Sequence, residues 1–208
     1  MKNGFVLFLA FLLGAPLYAQ GVRWAGNVAG GSANALHAPD DRHAVAGPPL
    51  VLSDFSPTFR YVRLAALLRV SDAALARADV IAFEGNGGHG AGVEAGWESS
   101  IWTFTDGTNT YTANFNEKVG RSSDPSVVAT GPITGDAFRA FFGICSPNPA
   151  NAVVGYILFD LDAVKPRVDP ASPRLRITIQ NGFRPDRTFG EGTPDPDAVG
   201  VLTSCPKP

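Results

Sequence analysis

The chain has 208 residues, with 17 Lys and Arg against 19 Asp and Glu, 23 Gly, 17 Pro and two Cys. A near-neutral charge with no basic stripe argues against a nucleic-acid partner. One apolar run near the start and no second long one argues against a membrane span in the mature chain.

At the start, Lys2 gives a positive charge, Phe5 to Leu13 an apolar run, and Ala15-Pro16-Leu17-Tyr18-Ala19 a small-residue exit. That order predicts a secretory signal over residues 1–19, cleaved after Ala19. The run is shorter than the roughly 20 residues that a spanning helix needs, and no Cys follows the exit to carry a lipid. The expectation is a secreted protein, periplasmic or extracellular, with residues 20–208 as one domain large enough for a sizeable core.

Gly21 to Pro49 reads as irregular, broken by Gly30-Gly31 and Pro48-Pro49. Inside it, His37, Asp40, Asp41 and His43 lie close together with Pro39. Their spacing matches no zinc pattern. Asp40 and Asp41 offer oxygens of the kind a loop calcium site takes, and equally suit a solvated turn. Leu50-Val51-Leu52 predicts a core strand, and Phe59 to Leu68 is apolar in a way that fits strand or helix. Ser71 can cap a helix over the following Asp72-Ala73-Ala74-Leu75-Ala76-Arg77, with Asp72 suited to its positive end.

Val80-Ile81-Ala82-Phe83 reads as a buried strand. Gly85-x-Gly87-x-x-Gly90 follows it, with Asp106 about 20 residues on, which is the spacing of a dinucleotide-binding turn. Such a turn must open a helix whose N-terminus carries the pyrophosphate. Here the residues after Gly90 include Gly92 and Gly96, each weakening a helix by about 1 kcal/mol. Asp106 precedes Gly107 in a turn dipeptide, which explains it without a ribose. No dinucleotide cofactor is therefore expected. The glycines suit a loop between strands, or a loop whose backbone approaches a ligand closely.

Ser100 to Thr105 and Thr110 to Phe115 alternate around Asp106-Gly107 and predict a β-hairpin with one wet face. Trp102 and Phe104 are expected to face inward, away from Ile101, Thr103 and Thr105. Val127 to Ala129 suggests another strand. Phe138, Phe141 and Phe142 suggest one or two helical turns over 136–142. Val153 to Leu161 reads as an almost unbroken strand, Leu175 to Gln180 as an alternating one turned by Asn181-Gly182, and Ala198 to Leu202 as the last. Short β-prone runs punctuated by Gly and Pro throughout favour a mainly β fold: an antiparallel β-sandwich with one or two short helices. In an exported chain Cys145 and Cys205 are expected to pair. The loop of about 60 residues would restrict the unfolded chain by roughly 4 kcal/mol on the chain-entropy account.

Chemistry concentrates around the glycine loop. Glu84, Glu94 and Glu98 flank it and His89 lies within it. Two carboxylates facing each other across a cleft would suit a glycosidase, so a secreted hydrolase is one alternative. No Gly-x-Ser-x-Gly elbow and no His-Glu-x-x-His motif occurs. The other reading is a non-catalytic binding surface of Glu84, Asn86, His89, Glu94 and Trp97. Trp97 or Tyr111, if exposed, would stack on a sugar face, and Asn86, Asn109 and Asn114 would bond hydroxyls; the same aromatics would equally serve as core. Asp195 and Asp197, before the last strand, and Asp160 and Asp162 are further calcium candidates, each also compatible with an ordinary turn or cap.

Ala38-Pro39-Asp40-Asp41, Leu50-Val51-Leu52 and Asp79-Val80-Ile81-Ala82-Phe83-Glu84 together resemble the opening of exported bacterial jelly-roll modules of the galactose-binding-like, discoidin type. Phe159-Asp160-Leu161-Asp162-Ala163-Val164 and Asp195-Pro196-Asp197-Ala198-Val199-Gly200 look like the late Asp-Ala-Val strands of such modules. The resemblance covers about a third of the mature chain. It implies a jelly-roll-like sandwich that binds glycans and carries a structural calcium, with no other cofactor, and it transfers no particular ligand residue. The expected function is an exported binding module for carbohydrate or another extracellular or envelope ligand. The alternatives are the hydrolase and a purely structural envelope or matrix protein.

Overall fold

A computed structural model describes residues 20–25, 49–55, 60–62, 64–86, 99–115, 124–134, 136–137, 153–182 and 196–203, with the backbone alone at 20, 60–62, 84–86, 153 and 197. These residues form β1 (Gln20–Trp24), β2 (Leu50–Leu52), β3 (Arg60–Val62), α1 (Leu64–Leu68), α2 (Asp72–Arg77), β4 (Val80–Asn86), β5 (Ser100–Thr105), β6 (Thr110–Phe115), β7 (Val127–Thr134), β8 (Val153–Phe159), β9 (Arg176–Asn181) and β10 (Pro196–Thr203). The protein is mainly β, an antiparallel sandwich with two short helices. No helix among the described residues is long and apolar enough to cross a membrane.

The pairing is nested. β5 pairs with β6, β4 with β8, β2 with β9 and β1 with β10, all antiparallel. The chain therefore behaves as one long hairpin, folded over so that successive pairs fall alternately in two sheets. Lateral pairing of β10 with β4 and of β9 with β5 closes the sheets. Their orders are β3-β1-β10-β4-β8-β7 and β2-β9-β5-β6. Without the edge strands β3 and β7, eight strands remain in two sheets of four, the jelly-roll arrangement.

The two sheets enclose one core. Trp102 and Phe104 of β5 stand fully buried against Phe159 of β8, with ring centroids 4.9 and 5.0 Å from it. Val80, Ala82, Ile157, Ile177, Ile179, Val199 and Val201 complete the layer. Each fully buried side chain of this size contributes about 1.5–3 kcal/mol. The indole N–H of Trp102 donates to Ser100 Oγ at 2.8 Å, so its polar edge is satisfied inside.

A second core lies on the other face of the six-stranded sheet. Leu64 and Leu68 of α1 and Leu75 of α2 are buried with Val22, Trp24, Ile81, Phe83, Tyr156 and Leu158. This sheet is therefore covered on both faces. That explains why Val80–Phe83, Val154–Phe159 and Ala198–Leu202 are continuous apolar runs, whereas β5, β6 and β9, with one wet face, alternate. Ser71 caps α2, its Oγ accepting from Ala74 N–H at 3.2 Å, a contact worth about 1 kcal/mol.

One local feature differs from the sequence reading, and one that it left open is decided. Residues 20–24 are a strand rather than the start of an irregular segment. Pairing with both β10 and β3, and burial of Val22 and Trp24, outweigh the flanking glycines. Within the run 59–68, Arg60–Val62 is strand (β3) and Leu64–Leu68 helix (α1). Of the helical turns expected over 136–142, only Asp136 and Ala137 fall among the described residues; both are helical, with Ala137 N–H bonded to Thr134 Oγ1 at 3.2 Å.

Candidate functional site

β4 runs on through the first part of the glycine motif. Glu84 pairs with Gly155 of β8 and Pro196 of β10, Gly85 with Val154, and Asn86 with Val153. Gly85 is thus inside an antiparallel sheet, not at a strand-to-helix turn of a parallel one, and the dinucleotide geometry is not formed around it. The ladder between β10 and β4 slips between Pro196 and Ala198, so Asp197 is the extra residue of a β-bulge beside the Phe83–Glu84 step. Bulges re-aim a strand locally and recur beside functional sites. Glu84, Asn86 and Asp197 consequently sit at one end of the six-stranded sheet. Thr134 and Val153, paired with each other, end β7 and begin β8 there, and Ala25 follows β1 at the level of Val199. His89, Glu94, Trp97, Glu98, Asp40, Asp41, Asp195, Cys145 and Cys205 lie outside the described residues.

The other aromatic candidates, and Asn109, serve the fold. Trp24, Trp102 and Phe104 are buried. Tyr111 packs against the inter-sheet core and donates its hydroxyl to Asp124 Oδ1 at 2.8 Å, so it offers no sugar platform. Burial, aided by the Asp124 carboxylate, pushes the Tyr111 phenol up to about 12. Asp124 also accepts from Ser126 N–H, Ser126 Oγ and Asn114 N–H, joining the approach to β7 onto β6. The Asn109 amide is taken up by Asp106 in the turn.

Asp106 does more than turn the hairpin. Its carboxylate accepts Thr108 N–H at 2.8 Å and Asn109 N–H at 2.7 Å, and also Asp169 N–H at 2.9 Å from far along the chain. Ser172 Oγ donates to its carbonyl at 2.8 Å. These backbone N–H groups, Asn109 and Asp169 first, hold the carboxyl well below the usual range. Next to it, Gly107 takes a φ of 92°, and a Cβ there would stand 2.8 Å from Arg174 Cδ. The Asp-Gly pair was legible as a turn. Its tether to residues 169–172 had no local signal.

At the opposite end of the six-stranded sheet lie Asp79, Asp160 and Asp162. Asp160 is buried; its Oδ1 accepts Asp162 N–H at 3.1 Å and Ala163 N–H at 2.9 Å, and its Oδ2 accepts Arg77 Nε–H at 3.3 Å. Asp162 is paired with Arg167. Both expected calcium ligands are thus engaged in a turn and in ion pairs. Among the described residues, no three His, Cys, Asp or Glu side chains are grouped to hold a metal.

The outer face of the four-stranded sheet carries hydroxyl and amide side chains in rows. Val51, Thr178, Thr103 and Thr112 are register partners across all four strands, with Thr103 and Thr112 Oγ1 atoms 3.2 Å apart. Val51 is 50 % exposed. Hydroxyl-bearing β-branched residues are ordinary on a wet pleated surface.

No protein-family model, no curated protein and no solved structure matches the chain.

Proposed function

We propose that the protein is an exported, non-catalytic binding module for carbohydrate or another extracellular or envelope ligand, engaged at the end of the six-stranded sheet that carries Glu84, Asn86 and Asp197. The observation supporting this reading is the meeting of strand ends there. Positions 84 and 86 of β4, the bulged position 197 of β10, Thr134 and Val153 share one end of one sheet. Segments attached there hold His89, Glu94, Trp97 and Asp195. Binding residues concentrate on loops held by a rigid scaffold, and here a sandwich buried on both faces of its larger sheet supplies that scaffold. Export is supported by the order of positive charge, apolar run and small-residue exit over residues 2–19. A structural calcium shared by Asp195 and Asp197, or by Asp40 and Asp41, belongs to the same proposal.

The test is a glycan array probed with the mature protein, with and without calcium. Binding is expected, and Trp97→Ala is expected to weaken it at least tenfold, the loss of a stacking aromatic. No binding under either condition leaves the structural reading. Hydrolysis of a bound glycan that Glu84→Gln abolishes would establish the hydrolase instead.

A further inference from the structure

The outer face of the four-stranded sheet is distinctive in its charges. Thr103 and Thr105 of β5, Thr110 and Thr112 of β6, and Arg176 and Thr178 of β9 point away from the core in matching phase. The remaining outward side chains of the four strands are Val51, Ile101, Asn114 and Gln180. The hydroxyls are ordinary for a wet sheet. The lack of Asp, Glu and Lys at every outward position is not, because a protein surface normally intersperses both signs. Arg176 is the one charge on this face, in a chain with more acidic than basic residues.

A second guanidinium joins it. Arg174 is exposed, across the buried Leu175 from Arg176. Its N–H donates to Ser172 Oγ at 3.1 Å, and Ser172 is fixed in turn to the Asp106 carbonyl. Its stem lies on the β5–β6 turn, where a Cβ at Gly107 would stand 2.8 Å from its Cδ. Among the described residues, ion pairs engage Arg77 and Arg167, and neither Arg174 nor Arg176 has one. The nearby Asp106 and Asp169 carboxylates are taken up by backbone N–H groups. Two positioned, uncompensated guanidiniums therefore stand at one end of a hydroxyl face that has no carboxylate.

We propose that this face is a second binding surface, separate from the sheet end and not dependent on it, and that it takes an extended acidic polysaccharide. Arg174 and Arg176 pair with uronate carboxylates, for which the planar guanidinium fork is suited. The Thr rows meet the sugar hydroxyls. Thr103 and Thr112 bond each other, yet a hydroxyl pair keeps free lone pairs and one donor. Size and chemistry select this occupant. Strand rise and spacing make the face roughly 15–20 Å on a side. That is well short of the roughly 800 Å² per partner of a stable protein interface, and it suits a narrow chain. Trp102, Phe104, Tyr111 and Phe115 all pack into the core. With no ring to stack on a neutral sugar, affinity has to come from charge.

The experiment is calorimetric titration of the mature protein with polygalacturonate in calcium-free buffer. Binding is expected, weakening as salt is raised. Fully methyl-esterified polygalacturonate has the same backbone without the charge, and no binding of it is expected. Arg174→Gln combined with Arg176→Gln is expected to raise the Kd about tenfold. Thr112→Glu changes an exposed side chain, puts a carboxylate on the face and is expected to weaken binding too. Trp97→Ala, which tests the sheet end, is expected to leave this binding unchanged. Absence of polygalacturonate binding by the wild type would overturn the proposal. So would equal binding of the methyl ester or of polyglutamate, or full affinity in the double Arg variant. Loss of binding in Trp97→Ala would overturn it as well, by assigning the polymer to the sheet end.

Discussion

A residue-scale constraint arises where two aromatic rings lie across glycines. Trp24 is the register partner of Gly200, and Tyr156 that of Gly131. A Cβ at position 200 would sit 2.5 Å from Val22 Cγ1 and 2.7 Å from Trp24 Cε3. At position 131 it would sit 3.0 Å from the Tyr156 hydroxyl, whose ring can give slightly. Gly200→Ala is therefore expected to cost about 2–3 kcal/mol in urea unfolding, through displacement of a buried indole, and Gly131→Ala about 1 kcal/mol. Equal costs at the two positions would show that the indole is not held as described. In the sequence these glycines look like any others in a Gly-rich chain. Their meaning depends on partners far away, whereas the inward setting of Trp102 and Phe104 follows from alternation alone. Tyr111 shows the limit of such local reading: its phase in β6 turns it inward, and its bond to Asp124 depends on how the chain returns.

At the level of elements, legibility followed the number of wet faces. The one-sided strands β5, β6 and β9 alternate and could be read with their facing. The two-sided strands β4, β8 and β10 could be read as buried runs and the helix after Ser71 from its cap, but not that α1 and α2 bury the second face of those strands. β1 escaped notice because its glycine and arginine hide the Val22–Trp24 alternation, and its pairing partners are at the far end of the chain. For the candidate site, Glu84 and Asn86 were singled out by composition around the glycines, and Asp197 by a separate acidic pair. Only the strand register joins them. The hairpin β5–β6 and the connection 160–175 carry an element-scale prediction through Asp106. Asp106→Ala is expected to lower the urea midpoint at pH 7, because Thr108, Asn109 and Asp169 N–H groups lose their acceptor. A carboxyl held below its ordinary value stabilises the fold above about pH 3.9, and loses that contribution as pH falls further. The difference between variant and wild type should therefore shrink below about pH 4; a difference constant down to pH 2 would mean that charge plays no part.

For the whole molecule, the two unusual carboxylates work in opposite directions. Asp106 favours the fold above the ordinary carboxylate range, while Asp79, its carboxyl raised to about 6 chiefly by burial, favours it below that value. Their joint contribution is greatest near about pH 4, falling below it as Asp106 is protonated and above it as Asp79 ionises. The proposed Cys145–Cys205 bridge is also a whole-molecule matter. Thr203 ends β10 at the opposite end of the sheet from Thr134 and Val153, between which Cys145 lies in sequence. Eight residues from Ala137 to Cys145 reach about 26 Å when extended, against about 23 Å for the length of β10, so the chain suffices for the bridge. The intact mass of the mature protein is expected to be unchanged by alkylation without reductant; two added groups would show free thiols.

The nested pairing also fixes the order in which the sheets can be completed. β10, the last described strand, fills the gap between β1 and β4, so the larger sheet has no centre until residues 196–203 are available. Before then only the β5–β6 hairpin has both its strands close in sequence. A polypeptide made only as far as β9 accordingly lacks the strand that joins β1 to β4, an open state that would suit passage through a narrow pore were the protein exported as proposed.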